Sequence, residues 1–158
     1  MSDMSEVDWL DADEQRIWRS YLVVNSLLEE RLDRDLQRRN GLTLVEYGIL
    51  VHLSEAEGQR MRMRTLADTV IVSKSRLSHQ VARLERDGHV RRESCSEDRR
   101  GSWAVLTAQG EKALREAAPG HVAAVRAGLF ERLSDEQVKR LGEIMEIVER
   151  GLRGDEPR

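Results

Sequence analysis

The stretch MRMRTLADTVIVSKSRLSHQVARLERDGHVRRESCSEDRRGSWAVLT, residues 61–107, decides the fold. Its spacing predicts a short helix over residues 65–70, a turn at Ile71 and Val72, and a second helix over residues 73–87 that stops at Gly88. Residues 89–95 and 102–107 then read as two strands around the polar turn Ser96-Glu97-Asp98-Arg99-Arg100-Gly101. Two helices at a tight turn, with a basic hairpin behind them, make a shape that fits duplex DNA. The second helix enters the major groove, and the hairpin reaches the flanking backbone or minor groove.

The flanking sequence is helical. Ile17, Tyr21, Val24, Leu28 and Leu32 recur at helical spacing and predict a first helix over residues 12–37. Gly41 stops it, after cations placed at the negative end of its dipole. Thr43 and Glu46 form a capping box, with Leu42 and Tyr47 as the staple, so a second, largely buried helix starts there and ends near Gly58. The alternation of residues 60–64 predicts a short strand or extended lead-in. Thr107 caps a long helix that Pro119-Gly120 is expected to kink or interrupt. Ser134 and Gln137 open the last helix, whose stripe is Val138, Leu141, Met145, Val148 and Leu152.

The expected fold is therefore mainly α with a small β wing: a winged helix-turn-helix lobe plus a helical dimerisation region drawn from both termini. Residues 1–40 and 108–153 are expected to dimerise, residues 41–107 to bind DNA, and residues 154–158 to form a tail. The narrow stripes on the terminal helices need another surface to cover them. A second copy of the chain supplies one, and two lobes suit a duplex with two half-sites.

Composition agrees once charge is resolved along the chain. The net charge is −3, which alone argues against nucleic acid. Residues 59–101 nevertheless hold 11 Lys/Arg against 6 Asp/Glu, a local +5 that leaves −8 for the rest. A basic middle on an acidic scaffold is the footprint of a DNA-binding lobe. With 35% charged and 4% aromatic residues and two prolines, the chain reads as helical rather than as a sandwich or barrel. The acidic start lacks an apolar segment, no run is long enough to span a membrane, and the single cysteine, Cys95, suits a reducing compartment. A cytoplasmic location is expected.

On the second helix of the motif, Leu77, Val81 and Leu84 share the core side, which leaves Lys74, Ser75, Arg76, His79 and Arg83 facing out. Arg76 suits guanine O6 and N7, Ser75 and His79 suit base edges, and Lys74 and Arg83 suit phosphate. Gln80 is a bidentate partner for adenine if exposed or a half-buried spacer otherwise, the spacer being slightly favoured, and Ser73 is read as the cap. At the wing tip, a guanidinium from Arg99 or Arg100 fits a narrow minor groove, with Asp98 to hold it.

These residues resemble the MarR family of bacterial transcriptional regulators. The resemblance rests on Leu66-Ala67, on residues 73–84, on Leu84-Glu85-Arg86-Asp87-Gly88-His89-Val90, on Asp98-Arg99-Arg100 and on Leu106-Thr107-Ala108-Gln109-Gly110, with Pro119 and Leu133-Ser134-Asp135-Glu136 further on. It implies a homodimer of triangular outline. Two winged lobes would sit on successive major grooves of a near-palindrome, usually to repress, and a small, often phenolic, anion would release the DNA. Two positions depart from the pattern. Ile71 stands where glycine is frequent, so a slightly different turn is expected, and Gln80 stands where an apolar residue is usual. The oxidation-sensing members carry their cysteine in the first helix, whereas Cys95 falls on a wing strand and reads as inert.

For a phenolic effector, Trp18, Tyr21, Tyr47 and His52 are the candidate pocket residues, with core packing as their plainer role. The four histidines, His52, His79, His89 and His121, show no zinc spacing, and no cofactor is implied. Nor is there a phosphate-cradling glycine loop, a nucleophile elbow or a carboxylate pair, so no catalytic residue is expected. The alternative is a winged-helix protein-interaction module without specific DNA binding, whose association with DNA would be weak and insensitive to salt.

Overall fold

The computed structural model describes residues 7–94 and 101–154. Among these, nine α-helices and β-strands follow one another: α1 (Ala12–Asn40), α2 (Leu44–Glu55), β1 (Arg60–Arg62), α3 (Met63–Val70), α4 (Lys74–Arg86), β2 (Val90–Ser94), β3 (Ser102–Leu106), α5 (Ala108–Gly128) and α6 (Asp135–Arg153). Cys95, Asp98, Arg99, Arg100 and most of the expected tail lie outside the described residues.

Local chemistry sets the helix ends. The Asp11 carboxylate accepts from the Asp13 and Glu14 amides, while Glu14 reaches back to the Asp11 amide. Thr43 with Glu46 and Ser134 with Gln137 close the two capping boxes visible in the sequence. Helix α1 runs on to Asn40, three residues beyond expectation, and ends where Gly41 turns left-handed at φ 69°. Helix α3 begins two residues early, at Met63, so the lead-in strand shrinks to Arg60–Arg62.

Helix α5 is not interrupted at Pro119. Proline there removes one N–H donor, a loss that tertiary packing can hold in place. Ala117 is buried on one side of it, and the His121 ring meets the Tyr47 ring of α2 at 4.3 Å, tilted by 39°, on the other.

The sheet is antiparallel in the order β1-β3-β2, so the lead-in strand pairs with the far strand of the hairpin. Arg62 opposes Trp103, and Glu93 opposes Trp103 from the other side. One core joins this sheet to α2, α3 and α4. It centres on Ile49, Leu50, Leu53, Leu66, Leu77, Val81, Leu84 and Ala104. Helix α1 enters that core only near its C-terminal end, through Leu36. Ile17, Tyr21 and Val24, expected as its apolar face, are exposed in the single chain, as are Met145, Val148 and Leu152 of α6.

The hairpin is locked to α5 at one point. The Thr107 hydroxyl donates to the Gly88 carbonyl at 2.6 Å and accepts from the Gly110 amide. The Gln109 amide donates to the Asp87 carbonyl. A Cβ on Gly110 would come within 2.1 Å of the His89 carbonyl oxygen, so only glycine fits there.

Candidate nucleic-acid interface

Helix α4 presents its two faces as its spacing requires. Leu77, Val81 and Leu84 are buried, and Lys74, Ser75, Arg76 and His79 are exposed together along the first turns. The Ser73 hydroxyl accepts from the Arg76 amide at 3.2 Å, which caps the helix and aims its N-terminus outward. Gln80 is half-buried, as expected of a spacer. Among the described residues no carboxylate pairs with Lys74 or Arg76, so both charges are available to an anion.

Beside that face lies a concavity the sequence did not reveal. It has a volume of about 740 Å³, and Arg62, Arg64, Thr65, Lys74, Ser78 and Arg92 help to line it. Its walls are the start of α3, one side of α4 and the wing strands. Four cations around one hollow suit the phosphates that pass between a major groove and the next minor groove. Arg92 also ties the wing to α4, donating to the Ser78 carbonyl at 2.9 Å and standing 3.7 Å from a Glu85 carboxylate oxygen. Arg60 and Arg62 both lie over the Trp103 ring, at 4.6 and 5.2 Å. Cation–π attraction therefore orients two arginines on the wing sheet. The alternating Arg-Met-Arg-Met-Arg of residues 60–64 was the available signal for this cluster. Only the tertiary fold, though, brings it against Lys74 and Arg92.

Arg83 is placed differently from its neighbours. Its Nε stands 3.2 Å from Oε1 of Glu46 on α2, and Nη2 donates weakly to the Gly41 carbonyl. The side chain expected at phosphate is thus paired with a buried carboxylate, although it stays 40% exposed itself.

The aromatic candidates for an effector pocket do not gather. Trp18 stacks on Tyr21 at 5.8 Å, both about half exposed on α1, whereas Tyr47 packs against the tilted ring of His121 on α5 and His52 is half-buried on α2. A cleft of about 420 Å³ between α1 and α4 is lined instead by Glu29, Glu30, Asp33, Thr43, Arg76 and Gln80, among others. Burial holds the Tyr47 phenol above its ordinary value and the His121 imidazole below its own, with Asp35 pulling His121 the other way. Among the described residues no group of three His, Cys, Asp or Glu side chains could hold a metal ion. No described helix is long and apolar enough to cross a membrane.

A tri-helical core with a three-stranded wing, an exposed face on its second motif helix and a cationic hollow beside it define a winged helix-turn-helix protein. Residues 40–101 match the MarR family model. The chain is 54% identical to Sco3205 of Streptomyces coelicolor, a MarR family transcriptional regulator solved in complex with DNA. That likeness covers 94% of this chain and 92% of that one, with a TM-score of 0.88. AbsC, another MarR family regulator of the same organism, is 48% identical over 94% of this chain and 99% of its own, with a TM-score of 0.85. The HTH-type transcriptional repressor YetL of Bacillus subtilis is 29% identical over 141 residues, 87% of this chain and 83% of its own. The chain belongs to the MarR family of transcriptional regulators.

Proposed function

We propose that the protein is a sequence-specific repressor that binds double-stranded DNA as a homodimer on a near-palindromic operator. Residues 41–107 form the reading lobe, and the regions 1–40 and 108–153 join the two copies. The observation that carries this reading is the cationic hollow of Arg62, Arg64, Lys74 and Arg92, set directly beside the exposed Lys74-Ser75-Arg76 turn of α4. With α4 in a major groove, the hollow would follow the intervening phosphates and the wing would continue to the minor groove, where Arg99 or Arg100 would enter beside Asp98. Arg76 and His79 read base edges, Ser75 assists them, and Lys74 neutralises phosphate. That Sco3205, 54% identical to this chain, was solved in complex with DNA supports a DNA-binding role.

The test is selection of duplexes from a random pool, followed by anisotropy titration of the selected duplex against an unselected one at several salt concentrations. Enrichment of two inverted half-sites, with affinity falling steeply as salt rises, is the expected result. Arg76→Ala and His79→Ala should then lose discrimination between the two duplexes, while Arg64→Ala should weaken both about equally. A pool that yields no enriched sequence would overturn the reading and favour a winged helix whose partner is a protein. Repeating the titration with small phenolic acids reads whether an effector releases the DNA.

A further inference from the structure

We propose that Arg83 is a positioning residue: its pair with the buried Glu46 clamps α4 to the α1–α2 corner and fixes the angle at which that helix is presented. The proposal rests on the reading of α4 as the helix that meets DNA. Glu46 is 1% exposed, the one buried acid among the described residues. Its Oε2 accepts the Thr43 amide at 2.8 Å, closing the capping box. Among the described residues its Oε1 has no hydrogen-bond donor in good geometry, and its ion-pair partner is the Arg83 Nε, at 3.2 Å. A carboxylate removed from water needs a nearby cation, and removing one partner of such a pair strands the other charge. Arg83 is therefore committed where a phosphate would have to compete with an otherwise uncompensated acid.

The same corner is bound to α1. Asp33 accepts the Leu44 amide at 2.7 Å, at the first turn of α2, and Arg83 also touches the Gly41 carbonyl at the end of α1. One polar junction, spanning residues 41–46, thus holds the long N-terminal helix on one side and α4 on the other. The exposed side chains of α4 inherit their orientation from it.

Arginine and lysine separate this role from a phosphate contact. A lysine keeps the charge that phosphate requires but loses the planar fork that reaches both Glu46 and Gly41. In the anisotropy titration with the selected duplex, Arg83→Lys should weaken binding about tenfold, and Glu46→Gln should do the same. The double variant should be no worse than the weaker single. Arg83→Gln should leave the slope of affinity against salt unchanged. Wild-type affinity in Arg83→Lys or Glu46→Gln, or a slope reduced by about one in Arg83→Gln, would make Arg83 a phosphate contact and overturn the proposal. Amide exchange of the DNA-free protein supplies an arm independent of any DNA. Residues 74–86 should exchange faster in Glu46→Gln and Arg83→Lys than in the wild type, and unchanged exchange would overturn the clamp. If no duplex is selected, the DNA reading fails while the exchange arm still decides this one.

Discussion

Ile71 ends α3 at φ 57° and ψ 50°, the left-handed region, with its own amide bonded to the Ala67 carbonyl and the Val72 amide reaching the same oxygen at 3.2 Å. Its side chain is 76% exposed, so burial returns little for that backbone. An L-residue in this region costs roughly 1–2 kcal/mol, and a β-branched one sits at the unfavourable end. The turn thus keeps the conformation glycine would take, although the side chain suggested a different one. Ile71→Gly should raise stability by about 1 kcal/mol, net of the extra freedom glycine gives the unfolded chain. Denaturant titration measures it. A lowered midpoint would mean that the isoleucine side chain contributes packing its exposure does not suggest. At this scale the sequence is legible where one residue does one local job. Ser73, Thr43 and Ser134 cap as their type and spacing imply. Arg83 was not, because its partner lies 37 positions away in sequence on another helix, and no local pattern announces which acid will be buried.

Between elements, the packing of α2 on α5 carries a titratable contact. His121 faces the Tyr47 ring at 4.3 Å, its Nδ1 is buried without a partner, and Asp35 of α1 is the nearby charge. Desolvation lowers its pKa below the ordinary 6.5, and Asp35 only partly opposes this. A histidine that binds its proton less readily when folded contributes stability that is fully present above pH 6.5. That stability is lost as pH falls from there toward the folded-state value, because the unfolded chain takes up the proton first. The melting temperature should therefore fall on acidification below about pH 6.5. His121→Phe, which keeps a ring against Tyr47, should flatten that decline, and an unchanged decline would assign it to other groups. Helix α5 also shows why element continuity is harder to read than element type. Pro119 signals a break by its own chemistry, but the neighbours that hold the helix together, Tyr47 foremost, belong to another part of the chain. The wing is a similar case. Its two hairpin strands were evident around their polar turn and the short lead-in strand from the alternation of residues 60–64, whereas the pairing of Arg60–Arg62 with Ser102–Leu106 and the cationic hollow are products of the tertiary fold.

For the whole molecule, the distribution of apolar surface decides the assembly. Apart from Ile71, the winged lobe exposes no large aliphatic side chain among the described residues, while Ile17, Trp18, Tyr21, Val24 and Leu27 of α1 and Ile144, Met145, Ile147, Val148 and Leu152 of α6 remain exposed in the single chain. Each such side chain gains roughly 1.5–3 kcal/mol when fully covered, so ten of them on two long helices make a lone copy unfavourable. The proposed twofold pairing would cover both sets at once and would set two copies of α4 side by side, which one lobe alone cannot do. Light scattering of the wild type should give twice the chain mass of 18.1 kDa at micromolar concentration. Met145→Asp combined with Val148→Asp should shift it to the chain mass, since two carboxylates cannot enter an apolar seam unpaired. The same variant separates assembly from reading. Its α4 face and cationic hollow are untouched, so weak, salt-dependent binding should persist, while affinity for a two-half-site duplex falls toward that of a single half-site. A wild type that scatters as one chain would remove the dimer, and with it the reason for two half-sites. A monomeric variant that still held the two-half-site duplex at full affinity would show that a single lobe suffices.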